Sequence, residues 1–138
     1  MERALGLDVG DKTIGVAVSD PLGMTAQGVE TIHRTTLEAD MKRLLELTRE
    51  YETVRLIVGY PRNMNGSEGP RCQFVKDFCD ETKKYIPNAE IVLWDERMST
   101  VAAARSLIEA DVSRKKRKKV IDKMAAVFIL QGWLDSRA

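Results

Sequence analysis

A change in the spacing of hydrophobic residues near residue 35 constrains the fold of this chain more than any other sequence feature. Before that point, three short apolar segments follow one another with only turns between them, at residues 3–9, 14–18 and 28–33. Each has the length and composition of a β-strand, and the turn Gly10-Asp11-Lys12-Thr13 predicts that the first two form a hairpin. The chain is therefore expected to begin with three strands in a meander.

Beyond residue 35, helical and strand patterns alternate. Thr35 or Thr36 is suited to cap a helix that continues to about Tyr51. Strands are predicted at 54–58 and 91–94, a loop at 61–70, and helices at 71–85, 100–110 and 118–135, the last preceded by a basic connector. The order βββαβαβαα predicts an α/β fold with a five-stranded mixed sheet and helices on its faces.

Length and cysteine spacing indicate a single cytoplasmic domain over residues 1–138. Cys72 and Cys79 are seven residues apart on one predicted helix, which separates their Cα atoms by about 10 Å, too far for a disulfide. Free thiols indicate a reducing compartment. No segment has the pattern of a secretory signal or a membrane span, so no membrane partner is expected.

The charge is unevenly distributed. Residues 114–123 hold seven basic residues and one acidic one, and the remaining 15 basic and 20 acidic residues carry a net charge of −5. The six consecutive cations are Arg114, Lys115, Lys116, Arg117, Lys118 and Lys119. Such runs are usually solvated linkers, but this one leads into the last helix, where it favours contact with the phosphates of a nucleic acid. Phosphate contacts carry no base code, so no sequence specificity is implied.

Carboxylates are expected to converge at one edge of the sheet. The first, fourth and fifth strands should run parallel, and ligands of open α/β sheets bind at the carboxyl ends of such strands. Asp8 lies near the end of the first strand, a polar loop with Asn63 follows the fourth, and Glu96 follows the fifth. The loop either touches phosphate and sugar or is an ordinary turn, and Arg97 either binds phosphate or pairs with a local acid.

Two of the acids have alternative interpretations. Asp8 stands among Leu5, Leu7 and Val9, where a carboxylate is costly unless it is paired or metal-bound, although it could instead hydrogen-bond the following turn. Asp122 lies beside the apolar stripe of the last helix, where it either faces the sheet edge or favours the helix dipole. That stripe is formed by Val120, Ile121, Met124, Ala125, Phe128 and Ile129.

If the side chains of Asp8, Glu96 and Asp122 lie close together, they are expected to bind divalent metal ions. Three close carboxylates repel one another unless cations neutralise them, and hard oxygen ligands select Mg²⁺ or Mn²⁺. Two such ions about 4 Å apart stabilise the attacking and leaving oxygens in phosphodiester cleavage. The single histidine, His33, is expected at a strand end without a catalytic part, which argues against histidine-based sites.

Five motifs, taken in order along nearly the whole chain, resemble the YqgF/RuvX family. They are Gly6-Leu7-Asp8-Val9-Gly10 with Lys12, Gly15-Val16-Ala17-Val18-Ser19-Asp20, Gly59-Tyr60-Pro61 with Asn63 and Gly66, Asp95-Glu96-Arg97-Met98-Ser99-Thr100, and Ile121-Asp122 with Ala125-Ala126. The family is described as having an RNase H-like fold and acting as a Holliday junction resolvase. It is also described as a nuclease that matures the 5′ end of the 16S ribosomal RNA precursor in bacteria.

The resemblance implies that Asp8, Glu96 and Asp122 fill the family's three acidic positions. Asp8 would bridge two metals while the other two acids each hold one, and Lys12 would contact nucleic acid. Asp11 stands where the family has a small hydroxyl residue. Its carboxylate either provides an additional acid behind the metal ligands or points to solvent. The resemblance leaves RNA and junction DNA both open as substrates, and the sequence leaves the oligomeric state open.

Two other functional classes remain. An actin-like ATP-binding protein has a similar phosphate-binding hairpin, but that class needs two lobes and a much longer chain, and nucleotide binding would distinguish it. A catalytically silent nucleic-acid-binding factor in ribosome assembly would keep its binding after loss of Asp8 and show no cleavage.

Overall fold

The computed structural model describes residues 2–98 and 114–138, and in the last helix it describes side chains from residue 124 onward. The elements are β1 (Leu5–Val9), β2 (Thr13–Ser19), β3 (Ala26–His33), α1 (Leu37–Glu50), β4 (Arg55–Tyr60), α2 (Pro70–Tyr85), β5 (Glu90–Asp95), a 3₁₀ turn (Glu96–Met98) and α3 (Arg114–Ser136). All five predicted strands are confirmed. The helix predicted at 100–110 lies outside the described residues.

The strands form one mixed sheet in the order β3-β2-β1-β4-β5. The hairpin β1–β2 is antiparallel, and β3 continues the meander along β2. Strand β1 pairs in parallel with β4, and β4 in parallel with β5. The predicted mixed sheet is therefore confirmed, and the carboxyl ends of β1, β4 and β5 share one edge.

Alternation along the strands divides the core between the two faces of the sheet. One face carries Leu5, Leu7 and Val9 of β1 and packs against α1 and α2. The other carries Ala17 and Ile57 and packs against α3. Both faces are thus covered by helices, as the order of elements predicts.

Local capping sets where α1 and α2 begin. The side chain of Thr36 accepts a hydrogen bond from the backbone N–H of Ala39, which fixes the start of α1. Helix α2 begins with Pro70 in its first turn, where the missing N–H costs nothing, after Gly69 at the cap. Cys72 and Cys79 are buried on α2 and free, as predicted, and burial raises the pKa of the Cys79 thiol to about 11.

Helix α3 lies very close to the sheet at Gly6. A Cβ atom on Gly6 would stand 2.7 Å from the Cβ of Leu130 and 2.9 Å from the carbonyl oxygen of Ala126. Only a residue without a side chain allows this approach. The tight contact fixes α3 against β1.

The buried face of α3 differs from the predicted stripe. Among its described side chains, the buried ones are Ala125, Ala126, Ile129, Leu130, Trp133 and Leu134. Of the predicted stripe, Ala125 and Ile129 are buried as expected, Phe128 is partly buried against the same cluster, and Met124 is exposed. The buried face therefore also includes Ala126 and Leu130, the two residues that contact Gly6.

The basic run also differs from its prediction. The described part of helix α3 already includes Arg114, ahead of the predicted start at residue 118, so the run is helical and is not a connector. Lysine and arginine are good helix formers, and their backbone continues the helix although they add no apolar stripe. None of the helices within residues 2–98 and 114–138 has the length and apolar character needed to span a membrane.

Candidate active site at the carboxyl edge of the sheet

Asp8 lies at the shared edge, on the face that α3 covers. Side chains alternate along β1, and Leu7 and Val9 are buried on the opposite face. Asp8 therefore shares a face with Gly6, which contacts α3. Its residue surface is partly exposed, unlike that of the apolar residues on either side. A half-buried carboxylate thus stands at the carboxyl end of β1.

Glu96 reaches the same face from β5. Trp94, two residues earlier, packs with the cluster under α3, and Glu96 begins the 3₁₀ turn directly after the strand. Its carboxyl carbon lies 3.4 Å from the position that a Cβ on Gly59 would take. The carboxylate oxygen Oε1 is shielded from solvent. Glu96 is therefore folded back over the end of β4.

Gly59 connects the two acids. The pairing of Leu7 with Val58 puts Asp8 level with Gly59 on the next strand, and Gly59 pairs with Trp94 on the other side. Neighbouring strands are about 4.8 Å apart, so Asp8 and Glu96 lie on strands that flank residue 59 at the same edge. The position that a side chain of residue 59 would take is filled by Ile129 and by the carboxyl group of Glu96. The predicted approach of Asp8 and Glu96 is consistent with this geometry.

The backbone of α3 runs toward this edge of the sheet. Trp133 lies by Arg55 at the start of β4, with 5.9 Å between guanidinium and ring, whereas Ile129 lies by Gly59 near the end of that strand. The helix therefore runs antiparallel to β4. Asp122 precedes Ala126 by about one turn, and its side chain lies outside the described part of the structure.

The described side chains alone do not make a three-ligand metal site. Among them, no three histidine, cysteine or acidic residues stand close enough to hold a metal ion. Asp8 and Glu96 provide two carboxylates, and the third predicted ligand, Asp122, is not among the side chains described. His33 ends β3 with an exposed residue surface, in agreement with its prediction as a strand-end residue.

The loop after β4 is a compact, exposed structure held by its own polar groups. Asn63 donates from Nδ2 to Ser67 Oγ at 3.0 Å, and the Oδ1 of Asn65 accepts the backbone N–H of Ser67 at 3.0 Å. Gly66 adopts a positive φ of 87°, which favours glycine. The amide of Asn63 is exposed at the site edge, so the loop has both the ordinary turn structure and a polar surface.

Arg97 pairs with a local acid, the second of its two predicted roles. Its Nη2 lies 2.7 Å from Asp95 Oδ2, and its Nη1 donates to the carbonyl of Met64 at 3.4 Å. Hydrogen bonding by Arg97 lowers the pKa of the Asp95 carboxyl group, and the same bond raises the pKa of Arg97. The pair ties the loop after β4 to the end of β5, beside Glu96.

Sequence reasoning missed two arginines that hold the β1–β2 turn. Arg34 donates from Nη1 to the carbonyl of Gly10 at 2.9 Å, and Arg71 donates from Nη2 to the carbonyl of Val9 at 3.3 Å. Lys12 is exposed in this turn. Arg71 also contacts Asp11, which lies 60 residues away in sequence. No local pattern signals such pairs, because they join segments far apart in sequence: Arg34 follows β3, and Arg71 lies on α2.

Comparison with known proteins assigns the family. The family model described as "RuvX: Holliday junction resolvase" matches residues 2–136. A protein of Desulforamulus reducens named "Putative pre-16S rRNA nuclease" is 60% identical over 136 residues, covering 99% of this chain and 98% of that protein. A protein of Clostridium tetani with the same name is 56% identical over 134 residues, covering 97% of this chain and 96% of that protein.

Solved structures share the fold at low sequence identity. The T. thermophilus RuvC in complex with Holliday junction substrate has a TM-score of 0.59 and 11% identity, covering 99% of this chain and 96% of that one. The fowlpox virus Holliday junction resolvase has a TM-score of 0.56 and 17% identity, covering 99% of both chains. The expected RNase H-like fold is confirmed by this likeness, and on the family match and the close relatives together, this chain belongs to the RuvX family.

Proposed function

We propose that this chain is a metal-dependent nuclease that hydrolyses phosphodiester bonds, with Asp8, Glu96 and Asp122 as its catalytic, metal-binding acids. The observation that carries the proposal is that Asp8 and Glu96 lie at one edge of the sheet, on strands that flank Gly59 of β4. Carboxylates gathered at one edge favour the binding of a cation. Asp122 belongs to α3, whose backbone runs toward the same edge.

The residues present fit a divalent cation. The donor set is all carboxylate oxygen, which favours Mg²⁺ or Mn²⁺ over Zn²⁺. When bound, two such ions supply a more acidic water and stabilisation of charge on the leaving oxygen. In this proposal Asp8, Glu96 and Asp122 would hold the ions.

The remaining residues would hold the nucleic acid. Lys12 and Asn63 are exposed on either side of the acids, on the β1–β2 turn and the loop after β4. Arg97 positions that loop, and a phosphate that approaches it would compete with Asp95. The six cations of Arg114, Lys115, Lys116, Arg117, Lys118 and Lys119 would bind backbone phosphates from the first turns of α3.

For the substrate, we propose the 5′ end of the 16S ribosomal RNA precursor. The support is the name of relatives that are 53–60% identical over nearly their whole length. Branched DNA is the second candidate, favoured by the family description and by the resolvases that share the fold. For either substrate, we propose that one cytoplasmic nuclease domain over residues 1–138 carries out the cleavage.

Cleavage of end-labelled nucleic acids tests the proposal. The substrates are precursor RNA with its 5′ leader, unstructured RNA, duplex DNA and a four-way junction, each with Mg²⁺ or Mn²⁺ and with the chelator EDTA. We expect metal-dependent cleavage by the wild type and a loss of at least about a hundredfold in Asp8→Asn, because the acid would help to hold the ions. Asp77→Asn, an exposed acid on α2, serves as the matched control.

Calorimetric titration with Mn²⁺ adds a measurement that does not depend on activity. Wild type and Asp77→Asn should release the same heat, and Asp8→Asn should release much less. If no substrate is cut while nucleic acid still binds to both wild type and Asp8→Asn, the nuclease proposal is wrong and the silent assembly-factor hypothesis replaces it.

A further inference from the structure

Arg71 holds a fixed position beside the proposed site. Its Nη2 donates to the carbonyl of Val9, the residue after Asp8, at 3.3 Å. Its guanidinium carbon lies 4.3 Å from the centre of the Phe74 ring, a stacking distance. About half of the side chain remains exposed. These contacts present a guanidinium group to solvent at the carboxyl end of β1.

Asp11 covers part of this guanidinium. Arg71 Nη1 lies 3.1 Å from one carboxylate oxygen of Asp11 and 3.2 Å from the other. Asp11 is 73% exposed, so water and salt screen the pair. Exposed ion pairs contribute about 0–1 kcal/mol, which means that another anion can replace the carboxylate at little cost. Asp11 is thus exposed to solvent, one of its two predicted placements, and it is also the partner of an arginine.

We propose that Arg71 binds a phosphodiester group of the nucleic acid and that Asp11 competes with that phosphate for the same guanidinium. The inference rests on the proposed nuclease function. Carboxylate and phosphate oxygens accept the same forked hydrogen bonds from arginine. A phosphate that replaces Asp11 also releases counterions from the nucleic acid, which an internal carboxylate does not.

The contacts of Arg71 do not depend on Asp11. Stacking on Phe74 and the hydrogen bond to Val9 remain when the carboxylate is removed, so the guanidinium stays in place with a free edge. Asp11 therefore weakens substrate binding and favours product release. Replacing Asp11 by Asn keeps the shape of the side chain and removes the competing charge.

Binding measured without cleavage tests the inference. Fluorescence anisotropy in EDTA follows two labelled probes, an RNA stem-loop with a single-stranded 5′ extension and a four-way DNA junction, over a range of KCl concentrations. The proteins are the wild type, Asp11→Asn, the double variant Asp11→Asn/Arg71→Met, and Asp77→Asn. The last removes the same charge from an exposed acid on α2 that accepts a hydrogen bond from Gln73.

We expect Asp11→Asn to bind several-fold more tightly than the wild type at low salt, with Asp77→Asn close to the wild type. The slope of log affinity against log salt should steepen by up to about 0.7 for a single strand or about 0.9 for a duplex, because the wild type makes this one phosphate contact only in part while Asp11 competes for it. The double variant should lose both effects. A gain in affinity for only one probe identifies RNA or DNA as the source of the phosphate. A gain in affinity for both probes indicates that the backbone is recognised independently of the sugar.

Two results would overturn the inference. One is equal affinity of Asp11→Asn and Asp77→Asn, and the other is a gain that persists in the double variant. If Arg71→Met unfolds the protein, Arg71→Lys takes its place, because lysine keeps the charge and loses the fork, and it should retain only part of the gain. Since cleavage is not measured, the nuclease proposal can fail while this inference stands, or the reverse.

Discussion

The carboxyl carbon of Glu96 lies 3.4 Å from the point that a Cβ atom on Gly59 would occupy. The same point is 2.5 Å from Cδ1 of Ile129 on α3. A side chain at residue 59 would therefore collide with Ile129 of α3 and contact Glu96, a proposed metal ligand. Glycine at this position lets α3 pack against β4 and leaves the carboxyl group of Glu96 in place.

Gly59→Ala should reduce activity more than stability. The nearest atom is the flexible end of Ile129, which can turn away, so we expect the free energy of unfolding to fall by about 1 kcal/mol. Displacement of Glu96 should slow metal-dependent cleavage by about ten- to a hundredfold. Urea denaturation and single-turnover cleavage measure the two effects.

Gly6→Ala is the matched comparison, because the same methyl group meets different atoms. Its neighbours are Leu130 Cβ at 2.7 Å and the backbone carbonyl of Ala126 at 2.9 Å, neither of which can rotate away. The helix itself must move, so we expect a loss of about 3 kcal/mol. Equal losses of stability in the two variants would contradict this account of how α3 packs.

Arg34→Met should destabilise the protein far more than Arg43→Met. Arg34 Nε lies 2.9 Å from Oδ2 of Asp40, a carboxylate that is only 3% exposed, whereas Arg43 pairs with the more exposed Glu30. Removing the first arginine leaves a buried charge without compensation, at a cost of about 3 kcal/mol. Removing the second should cost about 1 kcal/mol or less. Urea denaturation near neutral pH distinguishes them, and similar losses would show that the burial of Asp40 matters little.

Asp20 should give the protein an acid-dependent component of stability. Its carboxylate accepts backbone N–H groups from Thr25 at 2.8 Å and Met24 at 2.7 Å, and these bonds, Thr25 first, lower its pKa from the usual 3.8. A lowered pKa in the folded state means that the stabilisation is complete above the usual value and is lost as the pH falls through the lowered one.

The comparison of wild type with Asp20→Asn over a pH series measures this component. The difference in melting temperature should stay constant from about pH 7 to about pH 5 and shrink as the pH falls below the usual pKa of the carboxyl group. A difference that widens in acid would reverse the assigned direction of the pKa shift.

Arg97→Gln should loosen the loop after β4 without unfolding the domain. Arg97 joins Asp95 at the end of β5 to the carbonyl of Met64 in the loop. Among the described residues, Arg62 makes a second link between the loop and Asp95. We expect limited proteolysis within residues 61–69 to become several-fold faster, because local opening becomes easier. Arg55→Gln, at the other end of β4, is the control and should leave that rate unchanged.

Much of the architecture could be predicted because hydrophobic spacing determines it directly. The alternation around Leu5, Leu7 and Val9 predicts β1 and also places Asp8 on the opposite face. Parallel pairing of β1, β4 and β5 follows from the helical segments between them, and it brings Asp8 and Glu96 to one edge. The placement of both residues at one edge of the sheet was thus accessible from the order of elements alone.

The sequence could not predict features that depend on how elements pack. The predicted stripe of α3 included Met124 and Phe128, because the pattern counts hydrophobicity and not the close approach that Gly6 permits. Likewise the pair of Asp11 with Arg71 needs the position of α2 relative to β1. In both cases the decisive information is a distance between segments far apart in sequence.

The packing of α3 has a consequence for synthesis on the ribosome. Gly6 belongs to the first strand to be translated, and the helix that fills the space over it comes after all five strands. Until that helix emerges from the exit tunnel, the apolar residues Ala4, Ala17 and Ile57 lack the side chains of Ile129 and Leu130 that bury them. The contact of Ile129 with Gly59 therefore forms late in translation, and a nascent chain arrested before α3 lacks every residue of that helix, Asp122 included.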